Sequence, residues 1–101
     1  MAMNINKTHD DGKISLTLTG NLDTSTSPQF SKTLLPLFDE EKLVVLDFSN
    51  VAYVSSAGLR VLITGHETAK SKKATMLLHG VSDEIMSIFK MTGFSNILNI
   101  E

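Results

Sequence analysis

Residues 43–63 read LVVLDFSNVAYVSSAGLRVLI, and the stretch changes character once. From Leu43 to Phe48 it is almost continuously apolar, which predicts a central strand buried on both faces. Two serines, an alanine and a glycine follow. After them an apolar pattern of helical period runs to about Lys70, roughly four turns. At that period Gly58, Leu62, Gly65 and Ala69 fall on one face, where small residues allow close packing on a sheet. Arg60, Thr64, Glu67 and Ser71 fall opposite, in water. Leu59 and Ile63 lie between the two faces, about 100° and 140° round from Gly58. They are either ordinary boundary residues or an apolar patch beside the serines, placed for a partner. The patch reading predicts that at least one of them is substantially exposed.

The two serines also have two readings. A serine at a strand-to-helix junction caps the helix by accepting a backbone N–H with its hydroxyl oxygen. The same junction points unpaired N–H groups and the positive end of the helix dipole outward, so a phosphate on Ser55 or Ser56 would be accepted without melting the helix. Such a phosphate adds about −1.5 to −2 charge that a partner can read. Ala57 and Gly58 keep the neighbourhood small enough for an approaching kinase.

Outward from this stretch, the remaining elements follow from local pattern. Ile14, Leu16 and Leu18 alternate with Ser15, Thr17 and Thr19, the mark of a half-buried strand. DDGK (10–13) predicts a hairpin turn that joins it to an edge strand at MNIN (3–6). STSP (25–28) predicts a helix start with Ser27 as cap and Pro28 at the first helical position. Phe30, Leu34, Leu37 and Phe38 form its buried face, and Pro36 should bend or shorten it. ATMLLH (74–79) predicts another inner strand. SDEIMSIFKMTG (82–93) predicts a helix capped by Ser82, with acids in its first turn and Gly93 as its stop. FSNILNI (94–100) supplies a last short strand or coil. The expected fold is therefore α/β: a single domain over 1–101, with a mixed sheet of four to five strands and helices packed mainly on one face.

Composition removes several function classes. The chain has 101 residues, 42% of them hydrophobic, with 9 basic and 11 acidic side chains and a net charge of −2. That balance lacks the basic face of a nucleic-acid binder. The one basic cluster, KSKK (70–73), sits where cations suit the end of a helix. No apolar run approaches the ~20 residues of a membrane span. The polar start MAMNINKTHDDGK has no apolar targeting core, so secretion is not expected. With no cysteine, thiolate metal sites are excluded and a cytoplasmic setting is expected. The histidines His9, His66 and His79 are scattered, G-x-S-x-G and P-loop spacings are absent, and no pair has metal-ligand spacing, so no catalytic role, metal or cofactor is expected.

Three pieces in combination, GNLDTSTSP (20–28), LVVLDFSNVAYVSSAGLRVLI (43–63) and MTGF (91–94), resemble the STAS domain of the bacterial anti-sigma factor antagonists, over nearly the whole chain. The resemblance implies a switch rather than an enzyme. Its partner would be an anti-sigma factor that is also an ATP-using serine/threonine kinase, with a phosphatase to reverse the modification. The family's phosphoserine falls on Ser56; many members carry an acid just before it, where this chain departs with Ser55, whose own hydroxyl makes it the second choice. The aspartate of G-x-L-D falls on Asp23, in a loop expected beside that serine. Asp23, Thr24, Ser55, Ser56, Leu59 and Ile63 would form the partner-binding set. Asp23 and Asp47 are expected to make the region acidic, so that added phosphate meets like charge. The protein would be a monomer when free. The same family also includes non-phosphorylated subunits of larger assemblies, such as lipid-transport ABC ATPase complexes and stress-signalling scaffolds, and that use is the alternative.

Overall fold

The computed structural model describes residues 3–101. Strand β1 (Asn4–Asp10) turns through Asp11 and Gly12 into β2 (Lys13–Leu22), and Gly12 takes the left-handed conformation at φ 75° that the tight reversal demands. The pair is antiparallel, with Asp10 opposite Lys13. From β2 onward every neighbour is parallel: β3 (Leu43–Val54), β4 (Thr75–His79) and β5 (Asn99–Ile100). The spatial order is β1-β2-β3-β4-β5. Parallel strands laid down in one direction with right-handed crossovers place every connecting helix on the same face. Helices α1 (Ser27–Leu34), α2 (Ser56–Ser71) and α3 (Asp83–Thr92) accordingly cover one side of a five-stranded mixed sheet.

That face holds the core. Ile14, Leu16 and Leu18 meet Val44, Leu46 and Phe48, then Met76 and Leu78, all sealed from water. Phe30, Leu34, Leu37 and Phe38 close it from α1 and the turn that follows, and Phe89 of α3 sets its ring edge-on to Phe48 at 6.5 Å. The small residues of α2 permit close approach: a side-chain carbon added at Gly65 would come within 2.8 Å of Leu34 and 3.0 Å of Met76.

Among the described residues no helix covers the other face of the sheet, which corrects the expectation for Leu43–Phe48. Leu43 and Val45 are only half-buried and, with Lys13, Ser15, Thr17 and Leu77, line a shallow trough. The run is apolar on both faces, but it is fully covered on one. Pro36 shortens α1 as expected: the helix ends at Leu34 and the chain continues as a 3-10 turn over Leu35–Asp39. Ser27 is not the cap of α1. Thr26 holds that position, Ser27 is already helical, and its hydroxyl donates to the Asp23 carbonyl. The basic cluster fits the end of α2, where Lys72 pairs with Asp39 at 2.8 Å. Ser82 accepts the Ile85 N–H at 3.2 Å, and Gly93 closes α3 at φ 81°.

Candidate functional site

Parallel pairing makes β2 and β3 end together, Leu22 beside Val54. Both chains leave the sheet there, one into the loop before α1 and the other into α2. The two exits are tied, since the Ser55 N–H donates to the Leu22 carbonyl at 2.9 Å. Gly58 brings α2 down onto the junction. A side-chain carbon there would stand 2.7 Å from both Leu22 Cγ and the Leu22 carbonyl oxygen, so only glycine fits without moving backbone.

The loop on the β2 side is organised by one carboxylate. Asp23 Oδ1 accepts the Ser25 hydroxyl at 2.8 Å and the Ser25 and Thr26 N–H groups at 2.9 and 3.1 Å. The Ser25 hydroxyl is the chief cause holding the Asp23 carboxyl below the usual carboxylate range. Thr26, buried, donates to the Asn21 carbonyl at 2.7 Å and accepts the Asp23 N–H. Thr24 is left exposed at the tip.

On the β3 side the two serines divide the work. Ser55 is extended, and its hydroxyl oxygen accepts the Gly58 N–H at 3.4 Å, which makes it the cap of α2. Ser56 is the first helical residue and is exposed. The first turn contains no acidic side chain, so the Ser56 and Ala57 N–H groups and the dipole's positive end are uncompensated. One turn on, Arg60 is exposed as well.

Two hollows flank this start. One, of about 280 Å³, runs between α1 and α2 and is lined by Thr24, Pro28, Ala57, Arg60 and Thr64. The other, of about 420 Å³, is mostly apolar and lies between α2 and the connection from α3 to β5, lined by Ser56, Leu59, Arg60, Ile63, Phe94 and Ile97. The expected exposure of Leu59 or Ile63 is not found. Leu59 is only 7% accessible and Ile63 is half-buried, because Phe94 and Ile97 rise beside them. They form the floor and side of a groove, with Ile97 at 47% accessible the more exposed wall. No signal in the sequence placed Phe94 or Ile97 beside the serines. They lie in an irregular stretch with no period and are far from Ser56 along the chain.

Asp47 is not part of this site. Its carboxylate accepts the Ser49 N–H at 2.9 Å on the uncovered face of the sheet, facing His79. The length of strand from Asp47 to Val54 separates it from the junction by roughly 20 Å. The Ser49 hydroxyl holds its carboxyl below the ordinary value, with His79 a smaller cause. The histidines lie elsewhere too. His9 pairs with Glu41 at 2.7 Å beside the hairpin, His79 pairs with Glu101 at 2.9 Å, and neither these nor His66 line the hollows beside Ser56. Among the described residues no three histidine or carboxylate side chains form a metal-binding group. Nor is any helix long and apolar enough to cross a membrane among them.

The sequence pattern of the STAS domain matches residues 4–101, almost the entire chain. The chain belongs to the STAS domain family. This STAS domain is 29% identical over 96 residues to the anti-sigma-B factor antagonist of Listeria monocytogenes, covering 94% of this chain and 84% of that one. Its fold is close to that of an anti-sigma factor antagonist from Mycobacterium paratuberculosis, with a TM-score of 0.85 at 18% identity over 97% of this chain and 84% of the other. It is also close to the Bacillus cell fate determinant SpoIIAA in its phosphorylated form, with a TM-score of 0.75 at 12% identity over 97% and 91%. At such identities the likeness to the two structures is one of fold. In this STAS domain Ser55 caps the helix at the strand-to-helix junction and Ser56 is exposed beside it.

Proposed function

We propose that this protein is an anti-sigma factor antagonist in a partner-switching circuit, reset by phosphorylation of Ser56. The observation that carries the reading is the division between the serines: Ser55 caps α2, which leaves the Ser56 hydroxyl exposed and unengaged at the rim of an apolar groove. The names of its relatives support the regulatory role. In this reading the unmodified protein docks on an anti-sigma factor serine kinase and so frees a sigma factor. The docking face comprises Asp23, Thr24, Ser55 and Ser56 with the groove residues Leu59 and Ile63. The kinase then transfers the γ-phosphoryl group of ATP. The Ser56 oxygen forms the new P–O bond, the bond to the leaving ADP breaks, and the hydroxyl proton goes to a base of the kinase. The domain stays folded, since α2's uncompensated N-terminus receives the charge, while the docking face turns anionic. A serine phosphatase restores it. The free protein is read as a cytoplasmic monomer without a cofactor.

Incubation with ATP and each anti-sigma kinase encoded in the same genome, followed by peptide mass spectrometry, tests this. The expected result is a single phosphate on Ser56, lost in Ser56→Ala, with weaker kinase binding after modification. Phosphate on Ser55 would keep the circuit and move the site. No phosphate with any kinase, together with tight binding to another complex, would replace this reading with that of an assembly subunit.

A further inference from the structure

Arg60 stands four residues after Ser56, the helical spacing that brings two side chains together, with Cβ atoms about 5–6 Å apart. Both residues are exposed on α2. Arg60 is also the single charged side chain lining either hollow beside the serine, and it contributes to the walls of both. Its guanidinium has no ion-pair partner among the described residues, whereas Lys7 and Lys72 are committed to Glu40 and Asp39. The nearest acidic loop offers no competitor, because the Asp23 carboxylate is turned onto Ser25 and Thr26.

We infer that Arg60 is the internal receiver of the Ser56 phosphate: once Ser56 is phosphorylated, the guanidinium folds back one turn and pairs with the phosphoryl oxygens. The inference rests on the reading of Ser56 given above. An anion placed N-terminal to a cation at this spacing is the favourable order on a helix, and the planar guanidinium matches a phosphate with two parallel N–H donors. The consequence is a double change from one modification. The groove rim gains a phosphate, and the cation that stood between the two hollows is withdrawn from any partner. Arg60 acts here as a positioning residue, since it holds the phosphate against the helix and out of the groove.

The test installs phosphoserine at position 56 of the full chain by genetic encoding, which needs no kinase, and follows the phosphate by phosphorus NMR across pH. Phosphoserine loses its second proton near pH 6. Pairing with Arg60 should lower that midpoint by about half a pH unit relative to Arg60→Ala, roughly threefold in proton affinity, and added salt should shrink the difference. Arg60→Lys, which keeps the charge but not the two-pronged geometry, should fall between. Lys70→Ala removes the same charge nearly four turns from Ser56 and should leave the midpoint unmoved. Coincident curves with and without the Arg60→Ala substitution, or an equal shift in Lys70→Ala, would overturn the inference. The kinase experiment fails separately: a chain that no kinase modifies but whose installed phosphate still responds to Arg60 would refute the role of Ser56 and uphold the pairing.

Discussion

Helices α2 and α3 both begin after an extended serine whose hydroxyl accepts the N–H three residues on, Ser55 from Gly58 at 3.4 Å and Ser82 from Ile85 at 3.2 Å. Their first turns then differ. Helix α3 supplies its own anions, Asp83 and Glu84, and drives a buried isoleucine into the core at its third position. Helix α2 has no acid in its first turn, and its third position is a glycine pressed against Leu22. The start of α3 is thus satisfied by local charge and an apolar anchor. The start of α2 is held by the Ser55 cap, the Ser55–Leu22 backbone bond and the close approach of Gly58, and its first turn carries no acid to balance its positive end. The proposed phosphate on Ser56 would do so.

The contrast can be broken most forcefully at the third positions. Ile85→Ala empties a packed site and should cost about 2–5 kcal/mol in chemical denaturation. Gly58→Ala works the other way, by overfilling. The new carbon meets the Leu22 carbonyl oxygen, which cannot swing aside, so a loss of about 1–3 kcal/mol is expected despite alanine's better helix propensity. Gly65→Ala is the control within α2. Its clash is with the flexible ends of Leu34 and Met76, and a much smaller change should result.

The caps come next. Ser82→Ala should lower stability by about 1 kcal/mol, and Ser55→Ala by less, because its capping bond is longer. An equal or larger loss at Ser55 would mean that α2 depends on its cap as much as α3 does. Charge effects are smaller again. Ser56→Asp should raise the thermal midpoint through about 0.3–1 kcal/mol of favourable interaction with the dipole, fading as salt is added, whereas Asp83→Asn should lower it by a similar amount. If Ser56→Asp destabilises the protein, the notion of an unfilled anion position fails.

The pH dependence of the neighbouring loop is the finest test. The Asp23 carboxyl is held low in the folded protein, so it binds a proton more readily when unfolded. Its contribution to stability is therefore present above the ordinary carboxylate range, near pH 4, and is lost as pH falls through the lowered folded value. Denaturation midpoints of the unsubstituted protein and Asp23→Asn should differ at neutral pH and converge below about pH 4. A constant gap would assign the loop's order to Thr26 rather than to the carboxylate.

Much of this was readable because the signals are local. The caps Ser55 and Ser82, the Gly93 stop and the Asp11–Gly12 turn depend on bonds spanning a few residues, and each is found. The period of α2 placed Gly58, Leu62, Gly65 and Ala69 inward, and all four are buried. Ser27 misled because S-T-S-P offers several hydroxyls: Thr26 takes the cap position without a capping side-chain bond, its hydroxyl reaching back to Asn21 instead. Leu59 misled because its position on the wheel is marginal, and only the arrival of Phe94 and Ile97 decides how wet it is.

By itself the sequence determined the elements, the capping of α2 and α3 and the pair of hydroxyls at the β3–α2 junction, since period, caps and turns act over one or two turns of chain. The tertiary structure decided the rest. Parallel pairing of β2 with β3 brought the Asp23 loop to Ser55, and one-sided crossovers left half of the sheet uncovered. The α3–β5 connection then raised a wall beside Leu59 and Ile63 and made a groove of a helix face. These are meetings between segments distant in the chain, and they depend on which strands pair and in what direction, a choice made by the burial of the whole core rather than by any short stretch of residues.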